Sequence, residues 1–234
     1  MEQYVCTVCG YNMVGYHPGT CPFCGASQDH FLSAEECSEK YRLTKHQITP
    51  KVLALNSYPK LGLEHTAYRI EIEEGKFIWI DCPSTFRSES RNMTHILFTH
   101  HHFLGASNLY RNHFSAKVWI HEKDSRTALA SHHSFDNKFE ANFTLKGIEA
   151  YHVDGHTEGF TLYIYEDCLF ICDYTLLNGN DLKFNPYGPQ ERTIKASFDI
   201  RKIIKNRSLK YVCGVDYVLE FEEWYHALTE LLIK

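Results

Sequence analysis

From Val52 onward the chain alternates short apolar runs with polar turns. The segment Thr66-Ala67-Tyr68-Arg69-Ile70-Glu71-Ile72 alternates with the period of a strand, and 76–80 makes a second apolar strand across a turn at Gly75. Further strands are predicted at 95–98, 117–120, 148–153, 161–165, 168–171 and 209–213, and helices at 106–112, 122–130, 192–206 and 221–232. Early strands followed by strand–helix alternation predict a layered α/β (α+β) domain. Ahead of it, Ser33-Ala34-Glu35-Glu36 has the form of a capping box, which predicts a short helix to about Tyr41. The polar stretch 45–50, ending in Pro50, reads as a linker. The expected organisation is therefore a small module at 1–45 and a large domain at 46–234, with no internal repeat.

Composition narrows the classes. With 234 residues, 44% hydrophobic and 23% charged, the chain can bury a sizeable core, and bulk disorder is excluded. No apolar run approaches the roughly 18 residues of a membrane span, and Met1-Glu2-Gln3-Tyr4 lacks the basic-then-apolar order of a signal peptide. A net charge of −5, from 24 Lys+Arg against 29 Asp+Glu, argues against nucleic-acid binding by bulk electrostatics. The basic run Lys202, Lys205, Arg207 and Lys210 reads as a solvated helix end. A cytoplasmic protein with neither membrane nor nucleic-acid partner is expected.

Nine cysteines change the picture. Four of them, Cys6, Cys9, Cys21 and Cys24, form two C-x-x-C pairs, each followed by glycine where the chain must turn tightly. Two such knuckles make a tetrahedral four-sulfur site for Zn²⁺ or a single iron, and a segment this short needs the ion to fold. Cys37, Cys82, Cys168, Cys172 and Cys213 read as core residues. The sequence Cys6-x-x-Cys9-Gly10-Tyr11, Cys21-Pro22-x-Cys24-Gly25-Ala26 and Asp29-His30-Phe31 resembles rubredoxin, above all the short-loop form found in rubrerythrins. That resemblance covers about residues 3 to 35 and implies an Fe(Cys)₄ electron-transfer centre, with zinc as the alternative ion.

The second chemistry gathers at strand ends. Phe98-Thr99-His100-His101-His102 follows an apolar strand, and in an extended segment His100 and His102 share a face while His101 points away. Val153-Asp154-Gly155-His156-Thr157-Glu158-Gly159 and Phe170-Ile171-Cys172-Asp173 place another His and an Asp after strands. His113, His121, His132, His133 and His152 read as surface or packing residues, with His152 close enough in sequence to His156 to support it.

The large domain resembles the metallo-β-lactamase fold over about residues 52 to 218. Thr99-His100-x-His102, Gly155-His156-Thr157-x-Gly159, the strand-end Asp173 and the early strand-end Asp81 stand in the order of that family's motifs. The resemblance implies an αββα sandwich with metal at one edge. Two departures matter: Leu104-Gly105 stands where the family has Asp-His, ligands of a second ion, and no last His is evident. Asp216 is a candidate stand-in for it. The expected ligand set is His100, His102, His156 and Asp173, with Asp216 as the fifth candidate, holding one iron or zinc.

Joined together, the two parts predict a redox-linked metalloprotein, an oxidoreductase passing electrons between the cysteine centre and a mononuclear site. Its partners would be a redox protein or a small oxidised substrate, with a homo-oligomer as one arrangement. The alternatives are a single-zinc hydrolase with a structural zinc ribbon, its base drawn from Asp154 or Glu158, and a pseudoenzyme.

Overall fold

The computed structural model describes residues 2–90 and 92–233, which divide into two compact units, Met1–Lys138 and Phe139–Lys234. The first begins with a three-stranded antiparallel sheet, β1 (Gln3–Cys6), β2 (Asn12–Val14) and β3 (Phe31–Ser33), with β1 in the centre. The predicted capping box is present and starts α1 (Ala34–Lys40): Ser33 Oγ accepts from the Glu36 N–H at 3.2 Å, and the Glu36 carboxylate accepts from the Ser33 N–H at 2.8 Å.

The stretch expected as linker is structured instead. β4 (Arg42–Gln47) pairs along its whole length with β5 (Val52–Tyr58), and the boundary expected near 45 falls inside β4. Its side chains are almost all exposed, as suits an edge strand, so no alternating pattern marked it. β6 (Ala67–Glu73), β7 (Lys76–Ile80), β8 (Met93–Leu97) and β9 (Lys117–His121) continue a seven-stranded sheet, antiparallel from β4 to β7 and parallel from β7 to β9. α2 (Ser107–Phe114) makes the crossover between β8 and β9. The helix predicted at 122–130 breaks up into α3 (Glu122–Ser125) and a 3₁₀ turn at Ala128–Ala130, because Ser125 and Thr127 turn their hydroxyls onto the backbone carbonyls of Glu122 and Asp124. β10 (Asn137–Phe139) closes the sheet edge.

The second unit is built on a six-stranded sheet. β11 (Phe143–Leu145), β12 (Ile148–His152), β13 (Thr161–Tyr165) and β14 (Cys168–Cys172) run antiparallel. A hairpin of β15 (Thr175–Asn178) and β16 (Asp181–Phe184) and the helix α4 (Gln190–Ile204) then lead to β17 (Tyr211–Gly214), parallel to β14. β18 (Val218–Glu220) and α5 (Phe221–Leu231) finish the chain. Every residue of β13 and β14 is buried, which is why they read as continuous apolar runs. One face of this sheet packs under α4 and α5 through Leu162, Ile164, Leu169, Ile171, Ile200 and Trp224. All five scattered cysteines are buried, and Arg207, from the basic run, clasps Glu149 with two bonds of 2.7 and 2.9 Å. Among the described residues no helix is long and apolar enough to cross a membrane.

Candidate metal centres

The two cysteine knuckles are built alike. In the first, the Cys6 N–H donates to the Tyr11 carbonyl at 2.9 Å and the Gly10 N–H to the Cys6 carbonyl at 2.7 Å. In the second, the Cys21 N–H donates to the Ala26 carbonyl at 2.7 Å and the Gly25 N–H to the Cys21 carbonyl at 2.9 Å. Gly10 and Gly25 have φ of 81° and 75°, the left-handed turn that brings the second sulfur of each pair round to face the first. All four sulfurs lie within 4.8 Å of one another, with Cys6 to Cys24 and Cys9 to Cys21 both 3.7 Å. Four thiolates about 2.3 Å from one ion stand about 3.8 Å apart in a tetrahedron, so the cage already has the size of an occupied site. A disulfide would need about 2.05 Å. Hydrogen bonding from Cys21 and Cys9 holds the Cys6 thiol well below its usual range, while hydrogen bonding to Cys21 and Cys6 raises Cys9 and hydrogen bonding to Cys6 raises Cys21. Cys6, Cys9 and Cys21 are buried and Cys24 is exposed.

In the same unit, β8 delivers the histidine cluster. His100 is extended, but His101–Phe103 form a 3₁₀ turn, so His100 and His102 come together through a turn and not along a strand. Their ring centroids are 4.7 Å apart. His101 points away, as expected, with Nδ1 3.3 Å from the buried Asp124 carboxylate and its N–H donating to that carboxylate at 3.2 Å. Asp81, at the end of β7 with φ of 58°, accepts from the Thr99 N–H at 2.9 Å and from the Thr99 hydroxyl at 2.9 and 3.0 Å. The Thr99 hydroxyl lies 3.0 Å from His100 Nδ1. This chain of contacts turns His100 so that Nε2 is the nitrogen left to face a ligand.

The second unit carries the other candidates. His156 follows β12 in the loop that Gly155 opens, and His152 bonds through Nε2 to the Glu158 carbonyl at 2.8 Å, tying that loop to the strand. Asp173 follows Cys172, whose φ of 44° is strained for a residue with a side chain. His156 Nε2 lies 3.4 Å from Asp173 Oδ2, and both are buried. The sequence did not single out Asn185, just after β16, yet its side-chain amide donates to Asp173 Oδ2 at 2.9 Å and sits 3.5 Å from His156 Nε2. Only the β15–β16 hairpin brings it there, and no local motif announces it. Gly188 is also required, since a Cβ there would stand 2.7 Å from the His156 carbonyl.

Five further expected positions are now defined. Leu104 is buried among Leu55, Trp79, Ile96 and Phe98. Gly105, with φ of 50°, is pressed so closely that a Cβ would lie 2.2 Å from the Cys82 carbonyl oxygen and 2.5 Å from that of Pro83. Neither position can present a charged ligand. Asp216 is exposed on the turn between β17 and β18, and it belongs to neither candidate metal group among the described residues. Beside it the ring of Tyr217 covers Gly214, where a Cβ would meet ring atoms at 2.3 Å. Asp154 and Glu158 are partly exposed or exposed and pair with Arg192 at 2.6 and 3.4 Å.

Residues 4–32 match the rubredoxin-like domain of rubrerythrin. Solved structures similar to the chain include a metallo-beta-lactamase from Pontibacter korlensis, 17% identical, covering 82% of this chain and all of that one with a TM-score of 0.65. Another is a metallo-beta-lactamase from Hirschia baltica, 13% identical over 80% and 96% of the two chains, TM-score 0.64. A third is an archaeal metallo-beta-lactamase superfamily protein from Sulfolobus tokodaii, 16% identical over 72% and 80%, TM-score 0.54. No curated protein sequence matches the chain. The chain thus carries a rubredoxin-like Cys₄ domain at its start and the metallo-β-lactamase fold over the rest.

Proposed function

We propose that the chain is a redox-linked metalloprotein, an oxidoreductase in which an Fe(Cys)₄ centre exchanges electrons with a single iron. Cys6, Cys9, Cys21 and Cys24 would hold the first iron, and His100, His102, His156 and Asp173 the second. Three imidazoles and one carboxylate suit iron(II) or zinc. The observation that carries the reading is that the rubredoxin-like module is built into the same compact unit as His100 and His102. Bound iron would supply one-electron transfer at the cysteines and, at the imidazole–carboxylate set, reduction of a small oxidised substrate such as O₂, peroxide, NO or a persulfide. The chain's own residues hold the geometry: Asp81 and Thr99 orient His100, and Asn185 fixes Asp173. Leu104 and Gly105 support one ion instead of two, because they fill the place of second-ion ligands with a core side chain and a bare backbone. The electron donor would be a redox partner protein in the cytoplasm.

A second reading, a single-zinc hydrolase, draws support from the neighbours being metallo-beta-lactamases. It requires a base near the bound water, and the pairing of Asp154 and Glu158 with Arg192 counts against both candidates. The test is the visible spectrum of the purified chain, with metal analysis, before and after dithionite. Red colour that bleaches on reduction and returns with peroxide or O₂ is expected. Colourless protein holding zinc at both sites, with ester or thioester turnover, would overturn the redox reading in favour of the hydrolase.

A further inference from the structure

The second cysteine knuckle carries Phe23 between its two ligands, and that ring packs against the module's own core on one side while reaching the histidine turn on the other. Its centroid lies 5.4 Å from the imidazole of His102 and 6.1 Å from the ring of Phe103. Behind it, Tyr11 stacks nearly parallel, 6.3 Å away at 10°. Phe23 is bonded directly to Cys24, the one exposed cysteine of the four. A single aromatic side chain therefore bridges from a sulfur ligand of one centre to an imidazole expected to ligate the other.

This contact is held from several sides, all within the first unit. The Leu63 N–H donates to the Val8 carbonyl of the first knuckle at 3.0 Å. Gly62 lets that approach occur, since a Cβ there would lie 2.2 Å from the Val8 oxygen. The Tyr11 hydroxyl donates to the Leu129 carbonyl at 2.7 Å, and the Asn12 amide to the Ser84 carbonyl at 3.2 Å. The buried His133 donates through Nε2 to the Asn12 carbonyl at 3.2 Å. Buried polar groups paired in this way fix one arrangement, because sliding the module would strand several of them. The module is docked and does not swing on a tether.

We infer that Phe23 is the positioning residue for electron transfer inside one chain, from the cysteine-held iron through the Cys24–Phe23 segment to His102. The inference rests on the redox reading above. With iron at both sites the step would move one electron only: iron held by Cys6, Cys9, Cys21 and Cys24 would go from ferrous to ferric, and iron held by the imidazole–carboxylate set from ferric to ferrous. No bond forms and no proton moves. The electron enters the cysteine centre from a one-electron donor, dithionite in the test and a redox protein in the cell.

The experiment uses the full chain with iron at both sites. The cysteine centre is reduced with a substoichiometric pulse of dithionite, and its visible band is followed as it reoxidises by passing the electron on. In the wild type the return is expected to be first-order, with a rate constant independent of protein concentration. Phe23→Leu keeps an apolar side chain but removes the ring, and is expected to slow that rate by about an order of magnitude or more, since transfer depends on the geometry of the contact. Phe23→Trp is expected to restore it, and both variants should keep the wild-type visible band, which a merely structural role would not reconcile with a slower rate. A rate that scales with protein concentration, or a Phe23→Leu variant as fast as the wild type, overturns the inference and leaves the redox reading standing. Absence of a bleachable iron band overturns both.

Discussion

The two candidate centres are assembled in opposite ways. The cysteine cage takes its four ligands from positions 6 to 24, each pair set by one turn whose hydrogen bonds recur in the other. The proposed imidazole–carboxylate set would take its ligands from positions 100 to 173, in turns and loops that follow strands already held in sheets. A local cage depends on its ion for folding, because the module's own core is little more than Cys6, Cys9, Tyr11, Met13 and Cys21. A distributed set depends on the sheets, which exist for other reasons. The first centre should therefore be a folding element and the second a passenger on a finished fold.

Removing one ligand from each centre is the strongest way to break this contrast. Cys9→Ser should abolish metal at the cage and unfold the first module, since apparent binding energies of such sites are about 10 kcal/mol or more. Rapid proteolysis within the first 41 residues and the loss of one metal equivalent would register it. His156→Ala should remove the other metal equivalent while the protein stays folded and the cysteine band stays intact. Equal unfolding in both variants would erase the distinction.

A smaller effect sharpens the second centre. Asn185→Leu takes away the amide that fixes Asp173, and metal affinity there should fall about 10- to 100-fold, as read by competition with a chelator. The cysteine centre should not respond.

A last effect, read as stability and not as metal affinity, concerns docking of the module and depends on pH. Burial pushes the His133 imidazole down to about 4 from an ordinary value of 6.5. Its folded pKa lies below the unfolded one, so the unfolded chain binds the extra proton between them. Stability is then full above about 6.5 and falls as pH drops toward 4, by up to about 3 kcal/mol. Denaturant midpoints across that range should fall in the wild type. They should fall less in His133→Gln, whose amide can still donate to the Asn12 carbonyl.

What the sequence made legible follows the same division. The knuckles, the capping box and the strand-end positions of His100, His102, His156 and Asp173 could be read because local spacing carries each of them. Asn185 could not, since only the pairing of β15 with β16 brings it to Asp173. β4 was hidden because an exposed edge strand has no alternation to show. The helix sought at 122–130 was misread because Ser125 and Thr127 spend their hydroxyls on nearby carbonyls, a competition that apolar periodicity does not register. The seat of the cysteine module on Leu63, Ser84, Leu129 and His133 was invisible for a simpler reason. Its bonds join residues far apart in the chain, and most run to backbone groups whose side chains carry no signal.

The bare backbone at Gly105 also limits what this scaffold could become. Introducing an aspartate and a histidine at 104 and 105 would place a charge among Leu55, Trp79 and Phe98 and drive a Cβ into two carbonyl oxygens. Neither substitution could be tolerated first and rewarded later, so no stepwise route through single changes leads to a second ion at these positions. Anyone seeking two-metal hydrolysis from this chain would have to redraw the path of the backbone from Cys82 to Gly105 before changing a ligand.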